Sequence, residues 1–265
     1  MFNLMIILLS TINSEPIDSN NYRIAHYILE NIESLEDVSI TELSKVCYVS
    51  NSSISRFCRD IGLKDYNELK SQIAKYGAAR EYAKNKFYFK DENPEHYMSS
   101  YIHAVISELN MLEKNLNQKM IHQLVLDLFQ YEKVAAFGYT KSQNEALTLQ
   151  FDLQTSKKII HTSMRYANQI EYITHANKDN MIIIYSESGT YFQRMFPRKN
   201  IFKDLKNKPK IYMITSNKDV NLPYVDGYIF YNSNNDYASH PYPLSVITSL
   251  ICLDYAKTKE KLGNE

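Results

Sequence analysis

Apolar side chains recur at helical spacing through the first 75 residues of the chain. Ile24, Tyr27, Ile28 and Ile32 lie at i, i+3, i+4 and i+8, which is the apolar stripe of an amphipathic helix. The apolar run Phe2–Leu9 follows no Lys or Arg and is far shorter than the roughly 20 residues that span a bilayer. We therefore predict that this run is a packed helix of an all-α domain.

Start and stop signals divide the next stretch into two short helices. Ser39 and Glu42 have the spacing of a capping box, and Ser50 or Asn51 starts a second helix. Gly62 follows the second helix, where a C-terminal glycine is expected. Two short helices that meet across a tight turn predict a helix-turn-helix.

The outer face of the second helix has the chemistry of a nucleic-acid contact. Short hydrogen-bonding side chains and guanidinium groups suit base edges and phosphates, and no acid interrupts this face before Asp60. The alternative is a solvated helical hairpin, but the Ser- and Asn-rich start weakens the helix without a structural gain. We therefore predict DNA contacts from Ser50, Asn51, Ser52, Ser55, Arg56 and Arg59.

From Pro94 onward, short β-branched runs alternate with helical stretches. Strands are predicted at Val134–Phe137, Lys158–His161, Met181–Tyr185, Ile211–Ile214 and Tyr228–Tyr231. Helices are predicted at Tyr97–Leu116, Gln118–Tyr131, Ser142–Gln154, Asn168–Thr174, Phe192–Leu205 and Leu244–Lys261. The alternation predicts a doubly wound parallel α/β sheet. The domain boundaries are predicted at 1–76 for the helix-turn-helix domain, 77–96 for a linker and 97–265 for the α/β domain.

The amino-acid composition does not indicate a particular partner. The chain has 30 Lys and Arg against 30 Asp and Glu, so its net charge is zero and selects no partner. Cys47, Cys58 and Cys252 lack the spacing of a metal site, and we expect neither a metal nor a cofactor. The missing features of a signal peptide predict a cytoplasmic protein with no membrane contact.

The N-terminal segments resemble the RpiR family of bacterial regulators. Ile24–Asn31 looks like the family's second helix, Val49–Gly62 is similar to its recognition helix, and Tyr66–Lys70 resembles the segment that follows. Tyr48 departs from the family, which usually has glycine at this position of the turn. Glycine permits positive φ, so Tyr48 must either adopt another backbone conformation or be strained.

The resemblance implies that the α/β domain is a SIS (sugar isomerase) domain, which binds a phosphosugar. Its two loops would be Gly138–Ser142 and Ser186–Thr190, beyond the carboxyl ends of two strands, where open α/β sheets bind ligands. Three residues depart from the family pattern: Thr140 replaces a second glycine, Glu187 adds a carboxylate, and Tyr191 stands where threonine is usual. The implied phosphosugar-binding residues are Gly138, Thr140, Ser142, Ser186, Glu187, Ser188, Gly189 and Thr190.

The implied function is DNA-binding regulation of sugar or amino-sugar metabolism, with DNA binding modulated by a phosphorylated sugar. The expected partners are an operator in double-stranded DNA, a sugar phosphate effector, and further copies of the chain in a homodimer or homotetramer. No catalytic residue is predicted. Two alternatives stay open: a degenerate SIS domain that serves only for dimerisation, and a phosphosugar isomerase.

Overall fold

The structure is a computed structural model that describes residues 4–75, 96–139, 141–196, 201–202, 204–234, 239 and 241–263. The chain forms two compact units. The first comprises Met1–Asn85 and Ser163–Ile173, and the second comprises Lys86–Thr162 and Thr174–Glu265. The predicted linker, 77–96, lies almost wholly outside the described residues.

The elements follow the predicted order of helices and then alternating strands and helices. The helices are α1 (Leu4–Ser14), α2 (Asn20–Asn31), α3 (Ile40–Val46), α4 (Asn51–Asp60), α5 (66–75), α6 (Tyr97–Asn115), α7 (Gln118–Gln130), α8 (Lys141–Thr155), α9 (Tyr166–His175), α10 (Tyr191–Met195) and α11 (Tyr242–Gly263). The strands are β1 (Lys133–Gly138), β2 (Asn180–Tyr185), β3 (Lys210–Thr215) and β4 (Gly227–Phe230). Among the described helices, none is both long and apolar enough to cross a membrane.

Helix caps fix the start of α3 as the sequence predicts. The Glu42 backbone N–H donates to Ser39 Oγ at 3.2 Å, and the Ser39 N–H donates to Glu42 Oε2 at 2.8 Å. These hydrogen bonds from Ser39 are the main reason that the pKa of Glu42 lies below its usual value. The capping box is therefore confirmed, and it holds the first helix of the helix-turn-helix in place.

The inner face of α4 forms part of the core of the first unit. Ile54, Phe57 and Cys58 are fully buried there, in one apolar cluster with side chains from α1 and α2. Gly62 ends the helix with φ of 86°, and the Leu63 N–H donates to the Cys58 carbonyl at 2.8 Å. A residue without a Cβ adopts this backbone readily, so the predicted C-terminal glycine is also confirmed.

The second unit is built on a parallel sheet whose strands are neighbours in the order β1–β2–β3–β4. Every residue of β1, β2 and β3 after the first is buried, as expected for strands covered on both faces. His161 pairs with Ala135 on the other side of β1, through an isolated parallel bridge. The chain thus runs from β1 to one side and returns to β2 on the other, which makes the sheet doubly wound, as predicted.

Two predicted elements are wrong in extent. Lys158–His161 forms only the single bridge at His161, and Ile159 within it is largely exposed rather than buried. The helix predicted over Phe192–Leu205 ends at Met195. Phe196 has non-helical φ and ψ of −128° and 60°, because a proline follows it in the sequence and disfavours helix in the residue before it.

The turn between α3 and α4 contains a strained residue. Tyr48 has φ of 54°, in the left-handed region that residues with a Cβ seldom occupy. Its backbone N–H donates to the Lys45 carbonyl at 3.1 Å, and the next N–H, of Val49, donates to the Ser44 carbonyl at 2.9 Å. The turn therefore closes on backbone hydrogen bonds that keep Tyr48 left-handed, which is the strained alternative of the two that the sequence allows.

This strain predicts the relative stability of two variants. Tyr48→Gly and Tyr48→Ala both remove the exposed ring, but only glycine relieves the left-handed backbone. We expect Tyr48→Gly to be more stable than Tyr48→Ala by about 1 kcal/mol. Urea unfolding of the full chain, followed by circular dichroism, measures the difference. Equal unfolding midpoints for the two variants would mean that the turn is not strained.

Candidate functional site

The exposed face of α4 carries the side chains predicted to meet DNA. Ser50 caps the helix: its Oγ accepts from the Ser53 N–H at 3.1 Å. Ser55 is half-buried, and its Oγ donates to the Asn51 carbonyl at 3.1 Å. The structure places the whole predicted set on one continuous outer surface of this helix; its members are Ser50, Asn51, Ser52, Ser55, Arg56 and Arg59.

The two guanidinium groups on this face are available to a ligand. Arg56 and Arg59 are exposed, and neither forms an ion pair within the described part of the chain. The nearest acid along the helix, Asp60, accepts instead from Asn21 Nδ2 at 3.2 Å. Asn51 Nδ2 contacts Thr41 Oγ1 at 3.3 Å, which orients the amide at the helix start. The face is therefore polar and locally cationic although the whole chain is neutral.

The first predicted ligand loop joins β1 to α8 by a close backbone approach. A Cβ on Gly138 would stand 2.7 Å from the backbone of Ser142, so glycine is required here. The Gly138 N–H donates to Gln143 Oε1 at 2.9 Å, and Gln143 Nε2 donates to Thr162 Oγ1 at 2.7 Å. Ser142 itself is buried, and Thr140 lies outside the described residues. The sequence pattern did not reveal the role of Gln143, since its partners are set by the fold.

The second predicted loop, between β2 and α10, is held by its own hydrogen bonds. Ser186 Oγ accepts from the Tyr191 N–H at 3.2 Å, and Ser188 and Thr190 share a hydroxyl hydrogen bond of 2.7 Å. Gly189 has φ of 70°, which a residue with a Cβ adopts only with strain. Ser188 is exposed and Thr190 is half-buried, so these hydroxyls are the accessible donors of the loop.

The Glu187 backbone ties this loop to the end of β3. Its carbonyl accepts from Thr215 Oγ1 and Ser216 Oγ, each at 2.9 Å, and from the Ser216 N–H at 3.0 Å. Its carboxylate accepts from Ser233 Oγ at 3.4 Å. Asn217 Nδ2 donates to the Ser188 carbonyl at 3.1 Å and adds a further tether. The loop is thus pre-organised, and one of its side chains is an acid.

An arginine that the sequence pattern did not predict lies beside both loops. The Arg194 guanidinium is 5.9 Å above the ring of Tyr139, in the first loop. The Arg194 backbone N–H donates to the carbonyl of Thr190, the last residue of the second loop, so Arg194 lies in the first turn of the helix that follows that loop. Arg194 forms no ion pair among the residues that the structure describes. It therefore brings a positive charge next to the loops, and Lys141 is a second, exposed cation at the start of α8.

Tyr191, the third departure from the family pattern, joins the two loops. Its ring is fully buried, and it lies 5.1 Å from the ring of Tyr139 between centroids. An aromatic pair here fills space between the loops, where a threonine would offer a hydroxyl. The second loop consequently depends on Ser188 and Thr190 for its accessible hydroxyl groups.

A buried acid stands one helical turn beyond the first loop. Glu145 is 5% exposed, and its Oε1 accepts from Ser245 Oγ at 2.7 Å, while its Oε2 has no hydrogen-bond partner among the described residues. Burial raises the pKa of this carboxyl, and the hydrogen bond from Ser245 and the nearby Thr248 hydroxyl oppose the rise without cancelling it. The Glu145 charge is therefore a destabilising feature of the second unit.

Comparison with known sequences gives the class of the N-terminal part. Residues 7–80 match the family model described as the helix-turn-helix domain of the rpiR family. The chain is 30% identical over 128 residues to the HTH-type transcriptional regulator HexR of Pseudomonas aeruginosa, an alignment that covers 48% of this chain and 45% of that regulator. It is 52% identical over 52 residues to an uncharacterized HTH-type transcriptional regulator of Caldanaerobacter subterraneus, covering 20% and 18% of the two chains. The chain thus spans less than half the length of these curated relatives.

Comparison of folds covers nearly the whole chain. The Vibrio vulnificus NanR protein, solved in complex with ManNAc-6P, aligns over 99% of this chain and 94% of its own, with a TM-score of 0.51 and 15% identity. The protein is thus a helix-turn-helix domain followed by a doubly wound parallel α/β domain with the fold seen in NanR, and the predicted fold class is confirmed. The match to the rpiR family is confined to the N-terminal domain, residues 7–80.

The buried Glu145 carboxyl predicts a pH-dependent effect on stability. Its pKa is raised on folding, so the wild-type chain loses stability as pH rises through the folded pKa, and Glu145→Gln does not. We expect the stability of the variant relative to wild type to increase between about pH 5 and about pH 8. Urea midpoints at the two pH values measure this. Glu113→Gln, at an exposed position of α6, is the control. A difference between Glu145→Gln and wild type that is independent of pH would contradict the assignment.

Proposed function

We propose that the chain is a DNA-binding transcriptional regulator that reads DNA with α4. The observation that carries this proposal is the exposed polar face of α4, with two guanidinium groups that form no ion pair among the described residues. A guanidinium group binds guanine edges or phosphates, and short Ser and Asn side chains bind base edges or backbone. The likeness to HTH-type regulators supports the same function. A regulator that binds bacterial DNA acts in the cytoplasm, and this is the location that we propose.

Replacing Arg56 tests this face. We expect Arg56→Ala to weaken binding to a duplex that wild-type protein selects from a random-sequence library. It should also lower the slope of log affinity against log salt by about one, if the guanidinium contacts a phosphate. Fluorescence anisotropy at several salt concentrations measures both.

Arg56→Lys is the matched control, because it keeps the charge and removes the planar pair of donors. A retained salt slope with relaxed sequence preference would indicate base contact by Arg56. Wild-type affinity and slope for Arg56→Ala would contradict the use of this face.

We propose further that the second unit binds a phosphorylated sugar at the loops Gly138–Ser142 and Ser186–Thr190. Both loops follow the carboxyl ends of adjacent strands, where the sheet reverses its winding, and open α/β sheets bind ligands at this position. NanR, which shares the fold, was solved with ManNAc-6P, and this supports a phosphosugar as the class of ligand.

The charges around the loops suit a sugar phosphate better than a bare anion. Arg194 attracts the phosphate, and the Ser188 and Thr190 hydroxyls can donate to it. The Glu187 carboxylate repels a phosphate but accepts from sugar hydroxyls. The ligand that satisfies both charges carries its phosphate toward Arg194 and its hydroxyls toward Glu187. Sensing, rather than catalysis, is the role that we propose for this site.

Substitutions of Ser188, which is exposed, and Arg194, which is half-buried, test ligand binding. Ser186 is a poor choice, because its hydroxyl accepts from the Tyr191 N–H and supports the loop. Ser188→Ala and Arg194→Ala leave that bond intact, and we expect each to reduce the rise in melting temperature given by a panel of hexose and N-acetylhexosamine 6-phosphates. A ligand at about 100 times its Kd stabilises by about 2.7 kcal/mol.

The control for this experiment is Ser249→Ala, at an exposed position of α11. It should keep the full rise in melting temperature. Equal responses of wild type, Ser188→Ala and Arg194→Ala to an active compound would show that the ligand binds elsewhere.

A second candidate function has one specific observation in its favour. This candidate is a second unit that binds no ligand and serves only for dimerisation. The buried Tyr191 ring packs against Tyr139 and fills space between the two loops, which a domain without a ligand would tolerate. An exposed apolar stripe on α6, made by Met98, Ile102 and Ile106, supports assembly of the chain into a homodimer or homotetramer in either case. A wild-type chain that shows no rise with any compound of the panel would favour this candidate.

A further inference from the structure

Tyr48 combines two unfavourable features in the turn of the helix-turn-helix. Its backbone is left-handed, with φ of 54°, and its side chain is 88% exposed. The left-handed conformation is unfavourable for any residue with a Cβ, and an aromatic ring that stays exposed gains no hydrophobic stabilisation from burial. A residue that is unfavourable on both counts requires an explanation outside the stability of the fold.

The fold requires the backbone conformation but not the ring. The Tyr48 and Val49 N–H groups close the turn by donating to the Lys45 and Ser44 carbonyls, and glycine would form the same bonds without strain. No hydrogen bond from the Tyr48 hydroxyl and no aromatic contact of its ring occurs within the described residues. The side chain is therefore free to meet a partner.

The position of Tyr48 indicates which partner. It stands two residues before Ser50, the cap of α4, and Asn51 and Ser52 on the first turn of α4 are exposed beside it. In a helix-turn-helix, the N-terminal residues of the second helix enter the major groove and the first helix crosses the sugar-phosphate backbone, so we infer that the turn between them lies close to that backbone. A tyrosine there offers an apolar ring to deoxyribose and a hydroxyl donor to phosphate.

We propose that Tyr48 is a DNA-backbone contact, in which its hydroxyl donates to a phosphate oxygen and its ring covers the adjoining deoxyribose. This proposal rests on the proposed DNA-binding function and adds a residue to that interface. The contact is uncharged, so it releases no counterion and does not depend on base sequence. A left-handed tyrosine in this turn thus lowers the stability of the fold and raises the affinity for DNA.

The experiment compares full-length wild type, Tyr48→Gly and Tyr48→Phe on two duplexes. One duplex is selected by wild-type protein from a random-sequence library, and the other is its scrambled sequence. We expect Tyr48→Gly to bind both duplexes roughly tenfold more weakly than wild type, with an unchanged salt slope. Tyr48→Phe should lie between the two, because it keeps the ring and loses the hydroxyl.

The outcomes separate this contact from the function on which it rests. If wild type selects no duplex, the proposed DNA-binding function fails and the Tyr48 contact fails with it. If wild type binds and Arg56→Ala weakens binding while Tyr48→Gly binds as wild type does, only the Tyr48 contact is overturned. A loss on the selected duplex alone would also overturn it, since that result indicates base readout. Tyr48→Gly relieves backbone strain, so a loss of binding in a stably folded variant supports the contact.

Discussion

Every helix begins with backbone N–H groups that have no partner inside the helix, and both candidate sites are made around such helix starts. At several helix starts a side chain accepts from one of these groups, as Ser19 does for α2 and Asn117 does for α7. At α4, Ser50 caps the N–H of Ser53, and the N-terminal end of the helix is exposed to solvent. At α10, Ser186 accepts from the first N–H and ties the ligand loop to the helix. Helix starts thus organise both the DNA-binding face and the ligand loops.

The two candidate sites use pre-organisation in different ways. In the second unit, the loop after β2 is tethered to the end of β3 through the Glu187 carbonyl, so little conformational entropy remains to be lost on binding. In the first unit, the turn before α4 is rigid but strained at Tyr48. The strain is tolerable because the surrounding core, with Phe57 and Ile54 fully buried, over-determines the backbone of the turn.

Local signals in the sequence predicted much of the fold. The capping box of Ser39 and Glu42 and the glycine at Gly62 act within a few residues, so sequence alone locates them. The strand predicted at Lys158–His161 was too long, because the pairing of a strand at the edge of a sheet depends on tertiary contacts. The helix after Thr190 was predicted too long, because the apolar pattern outweighed the proline that follows Phe196. Gln143, Glu145 and Arg194 escaped prediction, since their partners come from distant segments that only the fold brings near.

We propose that a sugar phosphate bound to the second unit alters DNA binding by the first. The most direct test measures the DNA affinity of the full chain with and without the compound that most raises its melting temperature, and the affinity for that compound with and without the selected duplex. Linkage requires both affinities to change by the same factor, and coupled sites typically change by about 5-fold or more. We predict that the affinity for DNA and the affinity for the compound change by the same factor, and that this factor differs from one. If the affinity for DNA does not change with the compound, and the affinity for the compound does not change with DNA, the two sites are not coupled. The chain would then be a DNA-binding protein without an effector at this site.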